Sequence, residues 1–375
     1  MTNLVLFLEL AAIAIIFAGI PLAYVWTRRS YDVFTKFNWV LVFMTFDLIV
    51  FGAFTRLTDS GLGCPDWPGC YGTSNPWHAI GEIAQAQAAM PTGPVTVMKA
   101  WIEMIHRYLA MTVGALIIVQ LVLAWTKVKI LGKAAVFGSL GLLILVCIQG
   151  AFGAWTVTLK LQPIIVSIHL MLALFLLSWL TLYAQHDWGS SSATLQSRVK
   201  PISTKLLLFG FLVLSMQIFL GAWVSTNYAV LACPDFPTCL GTFSPEMAWG
   251  EGFTLWRPLG LTPGGESISP TALQTIHWAH RVFAMVAVIT LGALAIHGIR
   301  VSGKTLPKLA IFSKLLLALL ILQGITGISN VVFQWPLIAA LLHTAGSAGL
   351  IFCLVRMSYW ASWNSPMYFK TVKPS

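Results

Sequence analysis

The spacing of apolar runs limits this chain more than any other feature. Nine stretches, near residues 4–26, 36–55, 98–126, 133–157, 161–184, 204–226, 271–299, 307–332 and 336–360, stand out. Each is long enough to cross a hydrocarbon layer about 30 Å thick, which takes roughly 20 helical residues. With 58% of 375 residues hydrophobic and 9% charged, the chain has more apolar surface than a soluble core could bury. The expected class is therefore an all-α integral membrane protein. The first run is not read as a signal peptide, because Arg28 and Arg29 follow it and no small-residue cleavage site is evident.

A net charge of +10 suggests nucleic acid until the cations are placed between the runs. One side collects Arg28, Arg29 and Lys36; Lys127, Lys129 and Lys133; Arg198, Lys200 and Lys205; Arg300, Lys304 and Lys308; and Lys370 and Lys373. The other carries chiefly Arg56, Lys99, Lys160 and Arg257. This pattern is topology, not a nucleic-acid patch. The positive-inside rule puts the N-terminus outside, the C-terminus in the cytoplasm, and the long segments 56–97 and 227–270 outside.

Four of the six cysteines lie in those outward segments as two pairs, Cys64 with Cys70 and Cys233 with Cys239. Two disulfides within the loops follow from that compartment, with a four-cysteine metal site joining the loops as the rival. Cys147 and Cys353 fall inside apolar runs, where a free cysteine is usually a small core residue.

The chain is internally duplicated. Gly52-Ala53, Cys64-Pro65-Asp66-Trp67-Pro68, Cys70 and Gly72 recur 169 residues later as Gly221-Ala222, Cys233-Pro234-Asp235-Phe236-Pro237, Cys239 and Gly241. Further along the offset is 174, pairing His106-Arg107 with His280-Arg281, Gln149-Gly150 with Gln323-Gly324, and His169 with His343. An even number of runs per copy predicts two parallel four-helix repeats, an eight-helix core, with the first run as an extra N-terminal helix. The expected divisions are 1–35, 36–200 and 201–375.

Eight histidines are present, of which His78, His186 and His297 sit in or near loops. His106, His169, His280 and His343 instead lie about seven to nine residues inside their runs, roughly 10 to 14 Å below the outer boundary. A single intramembrane histidine is ordinarily an interhelical contact. Four of them, one per alternate core helix and in duplicate, suit two bis-imidazole haem sites better than one mononuclear metal. Arg107 and Arg281 each follow a candidate ligand, and haem propionates are natural partners for them and for Arg56; snorkelling to the outer face is the plainer account.

The copies also differ. Glu103, three residues before His106, is replaced by His277 before His280, so the carboxylate shares a helix face with His106 one turn nearer the outside. Such a group suits proton transfer or stabilisation of positive charge, or it is an interfacial glutamate near a helix start. The segment Thr55-Arg56-Leu57-Thr58-Asp59-Ser60-Gly61-Leu62 likewise has an uncharged counterpart, Val224 to Leu231.

These residues together resemble the haem A synthase family, from about Phe51 to Arg356: GAFTRLTDSGL at 52–62, EMIHR at 103–107, both cysteine pairs, HR at 280–281, and His169 and His343. The resemblance implies an oxidoreductase that turns a methyl group of haem O into a formyl group by successive hydroxylations, for cytochrome oxidase. It implies that His280 and His343, with Arg281, hold a haem b cofactor in the half 201–375. His106 and His169, with Arg56 and Arg107, would bind the haem O substrate in the half 36–200, and Glu103 would be the catalytic carboxylate. The first cysteine pair is linked in such proteins to electron or haem handling. Implied surroundings are the lipid bilayer of a bacterial inner membrane, with haem sites in its periplasmic half. Haem O synthase and a quinone or other electron acceptor are the implied partners, an oligomer is compatible, and no nucleic acid is involved. His277 beside His280 leaves two candidates for one ligand, of which His280 aligns with His106. The alternative reading is a di-haem b-type, quinol-linked electron carrier, which the asymmetry at Glu103 disfavours.

Overall fold

The computed structural model describes residues 27, 32–186, 188 and 201–362. Among these, eight helices are long and apolar enough to span a bilayer. They are α1 (Val33–Leu57), α2 (Val97–Thr126), α3 (Lys133–Thr158), α4 (Pro163–Gln185), α5 (Thr204–Thr226), α6 (Pro270–Ser302), α7 (Pro307–Val332) and α8 (Leu337–Ser362). Their ends fall within three residues of the apolar runs. The ninth expected helix, 4–26, lies outside the described residues.

The starts of these helices are written in local chemistry. Asp32, Thr96, Ser203 and Ser269 each accept a backbone N–H of the first turn, and Pro270 occupies a position where no N–H is needed. α6 stops at Gly303, whose φ of +48° an L side chain adopts poorly.

Between 22% and 50% of the residues in each apolar window are buried, so at least half of every window is left partly or fully open at the protein surface. On α2 the outward set is Met111, Ile118, Val122 and Trp125, side chains that only an acyl environment solvates well. The chain is a multi-pass membrane protein. Cys147 belongs to this outward surface, contrary to the expectation of a core thiol, whereas Cys353 is buried. The helix face, not the residue type, decides between them.

The helices gather into two compact units, Met1–Leu161 with Ile168–Gly189, and Gln162–Ser167 with Ser190–Ser375. In the first, α1 packs on α2 and α2 on α3. Buried hydrogen bonds reinforce this apolar packing: Gln120 Nε2 donates to Asn38 Oδ1 at 2.6 Å, and the Ser139 and Tyr183 hydroxyls lie 2.9 Å apart. In the second, α5–α6, α6–α7, α7–α8 and α8–α5 contacts close a ring of four.

Each unit carries one long loop before a histidine-bearing helix, and the two loops close alike. Cys64 is bonded to Cys70 and Cys233 to Cys239, which leaves no thiolates for the rival metal site. Asp66 accepts from the amides of Tyr71 and Gly72 at 2.7 Å, and Asp235 from those of Leu240 and Gly241 at 2.6 and 2.9 Å. The Thr238 hydroxyl and these amides hold the Asp235 carboxyl down to about 2.

Candidate functional site

Glu103 and His106 stand one turn apart near the start of α2, and the loop above them folds onto the glutamate. Glu103 is 4% exposed, yet both carboxylate oxygens have partners. Cys64 N–H donates to Oε2 at 2.8 Å, and Arg107 pairs with Oε1. Arg107 also donates to the carbonyls of Pro68 and Gly69, so one guanidinium ties the helix to the disulfide loop. A buried ion pair of this kind is tolerable because each charge has further hydrogen-bond partners in the loop.

The second unit builds the same bracket with a different residue. His277, also 4% exposed, accepts from Arg281 Nε–H at 3.1 Å, while Cys233 N–H approaches its Nδ1 at 3.3 Å. A neutral imidazole has one acceptor nitrogen, so only one of these contacts is a hydrogen bond at a time. Arg281 further donates to the carbonyls of Asp235, Thr238 and Cys233 at 2.7, 2.9 and 2.6 Å. His277 is thereby occupied by the loop, and His280 is the ring left to face its helix neighbours.

The four remaining histidines share one local device, a glycine on the adjoining helix. A Cβ added at Gly52 would lie 3.0 Å from His106 Nε2, and one at Gly153 3.2 Å from His169 Cε1. At Gly221 and Gly327 it would lie 2.9 and 3.3 Å from the Cε1 atoms of His280 and His343. Such approach is tighter than ordinary carbon contact, so the glycines make room for the rings. Counted from Val97, Pro163, Pro270 and Leu337, the histidines sit nine, six, ten and six residues in, or about 9 to 15 Å along their helices.

In the second unit the His280 and His343 ring centroids are 6.5 Å apart, with planes at 80°. Two imidazoles bound to one metal through bonds of about 2 Å have centroids about 6 Å apart. The pair therefore fits a bis-histidine haem iron. In the first unit His106 and His169 lie within electrostatic range of each other, and the Phe51 ring stacks on His106 at 6.4 Å.

Arg56 forms an ion pair with Asp59 at 3.2 Å at the C-terminal end of α1, its own side chain 14% exposed and that of Asp59 54%. His78 and His186, which the sequence places in loops, and His297, near the end of α6, are exposed.

Residue-by-residue reading passed over several groups bonded to the histidines, chiefly Gln217, Thr326 and Ser347. Gln149 and Gln323 were noted as a repeated pair without a role. Each donates from Nε2 to the carbonyl of a histidine, His169 at 2.9 Å and His343 at 3.0 Å. Aligning the two copies position by position around each histidine is the signal that exposes the first three.

A family model described as cytochrome oxidase assembly protein, COX15-CtaA, matches residues 35–355. A Shewanella oneidensis protein named heme A synthase is 38% identical over 330 residues, covering 87% of this chain and 96% of that protein. Proteins of the same name from Beijerinckia indica and Halalkalibacterium halodurans are 30% and 27% identical. They cover 82% and 84% of this chain, and 87% and 92% of their own lengths.

Proposed function

We propose, since the chain belongs to the cytochrome oxidase assembly protein family, that it is the oxidoreductase that converts haem O into haem A for cytochrome oxidase. The observation that carries this reading is the unequal pair of brackets: a buried carboxylate, Glu103, beside one histidine pair, and an imidazole, His277, beside the other. Two equivalent electron carriers have no use for that difference.

In this reading the half 36–200 is the substrate half. His106 and His169 take the haem O iron, and the remaining donors of Arg56 and Arg107 face its propionates. The half 201–375 holds a haem b between His280 and His343, with Arg281 above it. When bound, that haem supplies a one-electron relay for the electrons withdrawn from the substrate.

The chain's own groups do the rest. The methyl carbon gives up four electrons to the acceptor and four protons, and takes two oxygen atoms from water to become a geminal diol, which loses one water to leave the aldehyde. Glu103 is held in place by Arg107 and the Cys64 amide, one turn outward of His106. From there its carboxyl group is positioned to take the proton released at the substituent, or to stabilise positive charge beside it. The Cys64–Cys70 loop fixes the carboxylate's position.

The protein sits in a bacterial inner membrane with its N-terminus and haem sites on the periplasmic side and its C-terminus in the cytoplasm. Haem O synthase as donor and a quinone as final acceptor suit that setting.

The test is expression with a haem O source, followed by chromatography of the extracted haems. Haem A and its hydroxylated precursor are expected; neither appearing, where a relative named heme A synthase makes both, overturns the reading. Two tightly held b haems and no product would establish the electron-carrier alternative.

A further inference from the structure

The two histidine pairs match in sequence but differ in what holds the rings. Thr326 Oγ1 lies 2.9 Å from His343 Nδ1 and 2.8 Å from the Leu322 carbonyl. With the hydroxyl proton on that carbonyl, the oxygen accepts from Nδ1–H. One tautomer follows, with the lone pair at Nε2. Around the same residue, Ser347 Oγ lies 3.0 Å from the His343 carbonyl and 3.2 Å from Gln323 Oε1. By contrast Gln217 Nε2, a donor, lies 3.1 Å from His280 Nδ1 and 3.5 Å from its Nε2, over the ring, and selects no ligand tautomer.

None of this recurs in the first unit. At the repeat offsets, Thr326, Ser347 and Gln217 correspond to Phe152, Ala173 and Leu48. His169 keeps the glutamine on its carbonyl, but His169 Nδ1 and Gln149 Oε1 are buried with no hydrogen-bond partner among the described residues.

We propose that Thr326, with Ser347, positions His343 as a permanent iron ligand. Phe152 and Ala173 in their places make the His106–His169 site the one that exchanges its haem. This rests on the reading that both pairs bind haem. A hydrogen bond to the far ring nitrogen orients a ligating histidine and raises its basicity, typically altering metal affinity about 10- to 100-fold. A permanent cofactor needs that hold, whereas a site that takes in a substrate and releases a product turns over faster without it.

The experiment uses the full chain purified with its resident haem, in detergent, and excess apomyoglobin as haem acceptor. Thr326→Val is expected to transfer the resident haem about tenfold faster and to raise its midpoint potential, while Thr326→Ser behaves like the unmodified protein. Phe152→Thr, which supplies the missing acceptor, is expected to slow release of added haem from the first unit. It also decides the matter if Thr326→Val fails to fold. Unchanged transfer and potential in Thr326→Val, or unchanged release in Phe152→Thr, overturns the proposal. His280→Ala and His343→Ala separate the two layers: if they leave the resident haem in place, the underlying site reading fails. If they remove it while Thr326→Val is silent, only this inference fails.

Discussion

The backbone N–H of Cys64 donates to Oε2 of Glu103 at 2.8 Å, across 39 residues of sequence. That bond places a half-cystine and the carboxylate beside a candidate ligand in one rigid unit, so the disulfide, the loop and the site stand or fall together.

Replacing Glu103 by Gln keeps the acceptor for Cys64 and removes the base. Haem A production is expected to fall about 100-fold or more, the usual worth of a positioned proton acceptor, with the haem b absorption spectrum retained. Loss of the b haem instead would reverse the assignment of the two halves. Glu103→Ala is the harsher change, leaving Arg107 buried without its partner at a cost of roughly 3 to 5 kcal/mol.

Removing the first disulfide with Cys64→Ser and Cys70→Ser together frees a short loop. A loss of about 2 kcal/mol is expected from chain entropy, read as a lower thermal midpoint relative to the oxidised protein. Because the Cys64 amide anchors Glu103, product formation is expected to fall more than the haem b content does.

The glycine under each ring gives a test for each half. Gly221→Ala sets a methyl 2.9 Å from His280 and Gly52→Ala sets one 3.0 Å from His106. Overpacking of this kind costs about 1 to 3 kcal/mol if the ring stays and displaces the ring if it does not. Haem analysis of purified protein is expected to show less haem b with Gly221→Ala, and normal haem b with little product from Gly52→Ala.

Asp235 predicts an acid transition in the second loop. Its folded value, about 2, lies below the roughly 3.9 of an unfolded aspartate, so its contribution is complete above the latter and vanishes as pH falls through the former. Protection of the Leu240 and Gly241 amides against hydrogen exchange, taken relative to the intrinsic rate at each pH, is expected to fall between about pH 4 and pH 2. Asp235→Asn is expected to abolish that dependence.

Much of this was legible before any coordinates. The eight described spans follow from hydropathy, because a bilayer leaves a chain few alternatives to long apolar helices. The cysteine pairs and the histidines followed from spacing and compartment. What escaped was the company each side chain keeps. Arg107 and Arg281 read as propionate clamps, yet much of each guanidinium is directed to loop carbonyls and to the residue four positions earlier. His277 read as a rival ligand, and it is the loop's anchor.

The sequence alone determined that the chain crosses a membrane repeatedly and carries two histidine pairs, because those properties are local and periodic. Only the tertiary structure decided that Thr326 steadies His343 while His169 Nδ1 finds no such partner among the described residues, and that a half-cystine amide holds Glu103. Those relations depend on contacts between distant segments, and hydrogen bonding falls away within an ångström, so packing alone could settle them.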